Sequence, residues 1–328
     1  EETNNIFVNI DLTAPPPPFG LSSAPIGWTR TNAFTVTWTS LPDLSGIAGA
    51  YYKLDSEPAS PTDGTYVAGA TNAINGLQVP SEGKHTIYLW LRDGAGNVNH
   101  LTRNVLNQAL WLDTTPPISS HELSGSEGQN GWYTSTVRVN LSGSDALSGL
   151  DRHYYRLLGG EWAEGSTFQI AESGRHTVQY YGVDEAGNEE SPKSAFVRVD
   201  KDAPAAPIGL RAGQTGWQGV NSFSVTWTDP ADTSLIGAAR YKLNAPPTSP
   251  TDGTRIAAPL GHIEGIEVPR DGKHSIYVWL EDNAGNVDYQ RHATLVDAFW
   301  YDSRPPTTTH TISGTLGIGG WYRSPVQI

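Results

Sequence analysis

With 328 residues the chain is long enough for several small domains, and 21 basic against 34 acidic residues leave a formal net charge of −13. That balance argues against nucleic acid and anionic membrane as partners, and the absence of cysteine excludes disulfides and thiolate metal sites. No apolar run approaches the ~20 residues of a membrane helix, so no membrane insertion is expected in this segment.

The first residues, Ile6 to Asp11, read as a closing strand, because they match Ala195 to Asp200 further on. Residues 1–13 are thus expected to be the last strand of a preceding domain. A proline run, Pro15 to Pro18, follows as a semi-rigid joint. The first full unit, 14–113, opens with Phe34, Val36 and Trp38 alternating with Thr35 and Thr37, a period of two. Its loop Pro42-Asp43-Leu44-Ser45-Gly46 leads to the strand Tyr51 to Leu54, and Ser60 to Thr65 is a turn.

The joint Thr114 to Pro117 opens a shorter unit, 114–202, in which Val137, Val139 and Leu141 alternate with polar residues. Asp145 to Gly149 and Tyr154 to Leu157 match the loop and strand of the first unit. A third unit, 203–303, repeats the first almost phrase for phrase, with Phe223-Ser224-Val225-Thr226-Trp227 and Tyr241-Lys242-Leu243. Residues 304–328 begin another short unit after Pro305-Pro306. The Gly-Trp pair marks the period: Trp28, Trp132, Trp217 and Trp321 are spaced by 104, 85 and 104 residues. Two domain types alternate, which is the signature of an array.

One turn organises every full unit. It reads Asp93-Gly94-Ala95-Gly96-Asn97, Asp184-Glu185-Ala186-Gly187-Asn188 and Asp282-Asn283-Ala284-Gly285-Asn286. Each copy lies eight residues after a histidine, His85, His176 or His274, and eight extended residues are roughly 27 Å of strand. Glycine supplies positive φ and asparagine caps the turn, so each copy predicts strand, tight turn, strand. Short alternating runs bounded by turn signals, without helical periodicity, predict an all-β fold: a tandem array of β-sandwiches of two alternating types. Phe34, Val36 and Trp38 are expected to meet Ile87, Leu89 and Leu91 across the core.

The Asp-Xaa-Ala-Gly-Asn turn, the Gly-Xaa-His strand before it and the Asp-Thr-Thr-Pro-Pro joint together resemble tandem bacterial Ig-like repeats of the Big-type, fibronectin-III-like group. The resemblance covers essentially the whole chain. It implies Ig-like/fibronectin-III-like sandwiches from a large secreted adhesin or surface fibre, and it implies Ca²⁺ at acidic residues near the joints.

The acidic residues recur in sets. Each unit offers a loop aspartate (Asp43, Asp145, Asp232), one opening the turn (Asp93, Asp184, Asp282) and one at its exit (Asp113, Asp200, Asp302). These are candidate Ca²⁺ ligands, since that cation takes six to eight hard oxygens; the competing reading is turn capping through backbone N–H groups. No EF-hand spacing is present. Tyr88 and Trp90, and likewise Tyr277 and Trp279, occupy the face opposite the core residues, where an exposed row offers a platform for sugar rings or else packs over neighbouring strands. No nucleophile elbow, zinc-protease motif or phosphate loop occurs, and the recurring histidines suit hydrogen bonding at a strand start, so no enzyme is expected.

The expected function is a structural or adhesive segment of a long extracellular repeat protein at a bacterial cell surface: a stalk, fibre or filament. Its partners would be other copies or further repeats of the same chain, and cell-surface glycan. The alternative is a set of accessory, polysaccharide-binding modules of a large secreted hydrolase. Methionine is absent even at position 1, and both ends fall inside short-type units. The expectation is therefore an excerpt of a longer polypeptide, or copies joined end to end, with residues 6–10 and 324–328 either paired as strands or lying against the adjacent full unit.

Overall fold

The computed structural model describes residues 8–257 and 261–328. They fall into two compact units, one of residues 8–124, 137–170 and 175–197, the other of 125–136, 171–174, 198–257 and 261–328.

In the first unit, alternating β-formers give β1 (Phe19–Ala24), β2 (Trp28–Thr29), β3 (Phe34–Thr39), β4 (Ile47–Leu54), β5 (Thr65–Ala68), β6 (Ala73–Leu77), β7 (Gly83–Asp93) and β8 (Asn104–Leu112). They form two sheets, β1-β3-β6 and β2-β8-β7-β4-β5. All ladders are antiparallel except β2 on β8, where Trp28 lies opposite Trp111. Phe34, Val36, Trp38, Ile87, Leu89 and Leu91 share one buried core, as the alternation predicts.

The same unit holds most of a second, smaller sandwich. Its strands are β9 (Ile118–Ser124), β10 (Val137–Ser144), β11 (Leu150–Leu157), β12 (Ala163–Glu164), β13 (Thr167–Ile170), β14 (Gly174–Asp184) and β15 (Lys193–Val199). The sheets are β13-β10-β9 and β12-β11-β14-β15. The second unit carries the third sandwich: β16 (Ile208–Ala212), β17 (Trp217–Gln218), β18 (Phe223–Thr228), β19 (Ile236–Leu243), β20 (Thr254–Ala257), β21 (His262–Ile266), β22 (Gly272–Asp282) and β23 (Ala293–Tyr301). Its sheets, β16-β18-β21 and β17-β23-β22-β19-β20, repeat the topology of the first. The protein is a tandem array of all-β sandwiches of two alternating types.

The turn glycines take the conformation that their motif demands. Gly96, Gly187 and Gly285 have φ of 99°, 86° and 92°. The strand-start histidines are structural: His85 bonds Asp55 at 2.7 Å and the Ser81 carbonyl at 2.8 Å, and His274 bonds Asn244 and the Arg270 carbonyl.

Two expectations need correction. The aromatic row is not exposed: Trp90 and Trp279 are fully buried. Trp90 stacks on Tyr51 and donates to the Pro61 carbonyl, because the segment between β4 and β5 folds over the outer face of the sheet. Neither end is a paired strand, although the first meets the adjacent full unit, where Asp11 accepts the Ser45 amide and its carbonyl accepts from Asn97. Val8 to Ile10 carry no strand, Ile6 and Phe7 lie outside the described residues, and 324–328 make only the isolated bridge of Gln327 with Ser313. A lone strand without sheet neighbours has too little apolar surface to bury.

Candidate metal centre

Three acidic clusters form, and each lies where one domain passes to the next. Asp11, Asp43 and Asp93 make the first, Asp113, Asp145 and Asp184 the second, and Asp200, Asp232 and Asp282 the third; in each, one carboxylate oxygen from every residue lies within 4.8 Å of the others. The grouping corrects the sequence reading by one step. The exit aspartate joins the loop and turn of the following domain, not those of its own. Asp11 therefore enters the first cluster, and Asp302 joins no such cluster among the described residues. Asp11 was legible in principle, since it aligns with Asp200 at the 189-residue offset between the two long units.

The local geometry is conserved through the repeats. The turn aspartate caps its own turn: Asp93 Oδ1 accepts the Asn97 amide at 2.7 Å, Asp184 Oδ1 the Asn188 amide at 2.8 Å, and Asp282 Oδ1 the Asn286 amide at 2.8 Å. The turn asparagine then bridges. Its Nδ2 donates to the turn aspartate and also to the backbone carbonyl of the exit aspartate, at 3.0 Å for Asn97 on Asp11, 2.9 Å for Asn188 on Asp113 and 3.0 Å for Asn286 on Asp200. The exit carboxylate in turn accepts the loop serine amide, from Ser45, Ser148 or Ser234. These asparagines and serines are the residues that the sequence reading passed over. Their fixed place beside each aspartate was the available signal.

The exit strand is held from the preceding domain as well. Glu82, directly before the Gly-basic-His start of β7, accepts from the Thr114 amide and from the hydroxyls of Thr114 and Thr115. Asp271 does the same for Ser303 and pairs with Arg304, and Ser173 bonds the Lys201 amide and Asp202. Further contacts reach the turn itself. Arg30 donates to the Gly187 carbonyl at 2.7 Å, and Asn130 donates to the Asn283 carbonyl at 2.9 Å.

The electrostatics are those of crowded anions. Asp93, Asp113, Asp184, Asp200 and Asp282 are buried, and no ion pair to any of the nine cluster aspartates occurs among the described residues. Burial, then Asp200 and Asp282, push the Asp232 carboxyl up to about 6 despite two bonds from Ser234. Burial also raises Asp282. In the second cluster burial raises Asp145, but the Gly149, Leu147 and Ser148 amides outweigh it and hold the group below the usual range. Bonds from Ser45 and Thr13 lower Asp11. Unit charges about 5 Å apart repel by about 3 kcal/mol per pair at an effective dielectric near 20. A divalent cation removes that cost, and an all-oxygen donor set is the kind that Ca²⁺ takes. The loop aspartate suits this role, because Asp43, Asp145 and Asp232 accept their hydrogen bonds through Oδ1 alone among the described residues. The residues present therefore fit a hard cation.

No helix among the described residues is long and apolar enough to cross a membrane. No protein-family model and no curated protein matches the chain. Among solved structures, the fibronectin(III)-like modules of Clostridium thermocellum CbhA are similar at 10% identity, covering 55% of this chain and 93% of that one with a TM-score of 0.30. The FN1-FN3 domains of chicken CNTN1 are similar at 13% identity, covering 87% and 99% with a TM-score of 0.32.

Proposed function

We propose that this chain is a non-catalytic spacer, a segment of a stalk or fibre outside the cell at a bacterial surface, whose joints are latched and braced by Ca²⁺. The carrying observation is the repetition of one clamp at three joints: turn asparagine on exit carbonyl, loop serine amide on exit carboxylate, three carboxylates together. A linker meant to swivel has no use for two domains gripping the same residue. Further repeats of the same kind, or other copies of the chain, are its natural neighbours. The negative surface keeps parallel arms apart. Asp43, Asp93, Asp145, Asp184, Asp232 and Asp282, with the exit residues Asp11, Asp113 and Asp200, would hold the cation, which neutralises the cluster and ties the exit strand to the following loop.

The second reading, a polysaccharide-binding accessory module, is supported less, because Trp90 and Trp279 are buried while Tyr88 and Tyr277 are half-buried. Small-angle scattering and thermal melting of the whole chain, with added Ca²⁺ and with chelator, test the proposal. Ca²⁺ at a hundred times its dissociation constant is expected to add ~2.7 kcal/mol to the folded state. Superimposable melts and scattering curves would remove the cation from the reading. Free bending at every joint under both conditions would remove the spacer.

A further inference from the structure

The second sandwich differs from the first and third at one cross-strand pair in its interior. In the long sandwiches that pair is Ala50 opposite Leu91 and Ala239 opposite Leu280; in the short one it is His153 opposite Gly182. Large and small have changed places, and the large residue has become titratable. His153 is only 5% exposed, and its Nε2 is buried without a hydrogen-bond partner among the described residues. Ser119 is 3% exposed, and its Oγ is likewise buried and unpartnered.

Two glycines make the room. Gly143 lies opposite Ser119 in the β9–β10 ladder, and a Cβ there would stand 3.2 Å from His153 Nε2 and 2.9 Å from the Ile118 carbonyl. A Cβ on Gly182 would stand 2.6 Å from Ser119 Oγ. The short sandwich thus places a histidine and a serine where the long ones have a leucine.

We propose that His153 makes the short sandwich an acid-labile unit of the array, which loosens at β11 and β14 when the ring takes a proton while the long sandwiches stay folded. The ring sits inside an apolar sandwich, so its charged form is the costly one. Among the ionisable and polar groups around it only the Glu190 carboxylate acts as a counter-charge, and it is already engaged elsewhere. From β9 come Ser119 and His121, the latter bonded to the Tyr180 hydroxyl of β14 at 2.9 Å. From the start of β15 comes Lys193, which pairs with Glu190 at 2.6 Å, and Glu190 is further occupied by the Ser119 amide. From β12 comes Glu164, which is exposed, and on its own strand Asp151 and Arg152 pair with each other.

Burial lowers the His153 pKa, while the Ser142 carbonyl and the Glu190 carboxylate pull the other way without restoring it. A histidine depressed in the folded state contributes stability that is present above its ordinary value of about 6.5 and is lost as pH falls below it. The buried histidines of the long sandwiches, His85 and His274, have partners on both ring nitrogens, while the half-buried His100 of the first has an Nδ1 without a partner among the described residues. In the third sandwich Asp232 gains a proton in the same window, which relieves repulsion there rather than creating it.

Hydrogen exchange of the whole chain, read by mass spectrometry at pH 7.5 and 5.5 and corrected for intrinsic rates, tests this. Protection in β10, β11 and β14 is expected to fall by up to about tenfold, the ceiling set by the roughly one pH unit between 5.5 and the ordinary histidine pKa of about 6.5. Protection in β18, β19 and β22 should hold. His153→Gln should abolish the selective loss. If that variant does not fold, an NMR titration of labelled histidine in the unmodified chain decides. A His153 pKa at or above about 6.5, or equal loss of protection in the second and third sandwiches, overturns the proposal.

Discussion

Asn188 is the most exacting test of the latch. Its side chain is buried, and Nδ2 donates to the Asp113 carbonyl at 2.9 Å and to Asp184 Oδ2 at 2.8 Å. Asn188→Ala removes both bonds. The bond to the carboxylate is worth about 1.5–3 kcal/mol and the bond to the neutral carbonyl about 0.5–1.5, so the joint should lose about 2–4 kcal/mol. The loss is local, because Asp113 lies in the connecting segment while the cores on either side are untouched. Exchange of the amides at 114–115 and 187–190 should rise steeply, with little change in β3 or β7. Asn188→Asp sharpens the test, since it keeps the size, removes the donor and adds a fourth carboxylate. Without Ca²⁺ it should be worse than alanine. With Ca²⁺ it should recover, because the added oxygen is a ligand. Unchanged protection at 114–115 in Asn188→Ala would refute the latch, and an Asp variant indifferent to Ca²⁺ would refute the metal centre.

Further expectations are smaller in scope. Gly187→Val forces a branched residue to φ 86° with nothing within 4 Å of its Cβ, so the cost is backbone strain alone, on the order of 1–2 kcal/mol and confined to the second sandwich by calorimetry. Trp90→Phe loses the bond to the Pro61 carbonyl, whereas Trp279 Nε1 has no partner to lose among the described residues; denaturant melts should show Trp90→Phe costing about 1 kcal/mol more than Trp279→Phe. Burial raises Glu281, but Arg255 and Arg240 outweigh it and hold its carboxyl below the usual range. A depressed carboxylate gives stability that is present above its unfolded pKa, so the third sandwich should lose this contribution as pH falls below ~4.5. Glu281→Gln should flatten that acid limb of the melting curve, and an unchanged limb would assign it elsewhere.

The strands, their turns and the alternation of two domain types follow from the chain alone. A period of two can satisfy only a sheet with one buried face, and Gly96, Gly187 and Gly285 stand where only a residue without Cβ is comfortable. The residue types of the acidic clusters were equally readable, because aspartates recurring at one loop, one turn and one exit mark three fixed places. Their partnership was not readable. Asp113 belongs with Asp145 and Asp184 because the exit strand runs into the next domain's loop before it ends, a fact about the path of the chain in space. Trp90 illustrates the same limit: alternation places it on the outer face, but only the fold of the segment between β4 and β5 over that face buries it. His153 is the clearest case, since nothing local distinguishes it from a surface histidine on a strand. Cross-strand register sets it opposite Gly182 and beside Ser119, and register is fixed by contacts between residues distant in the chain.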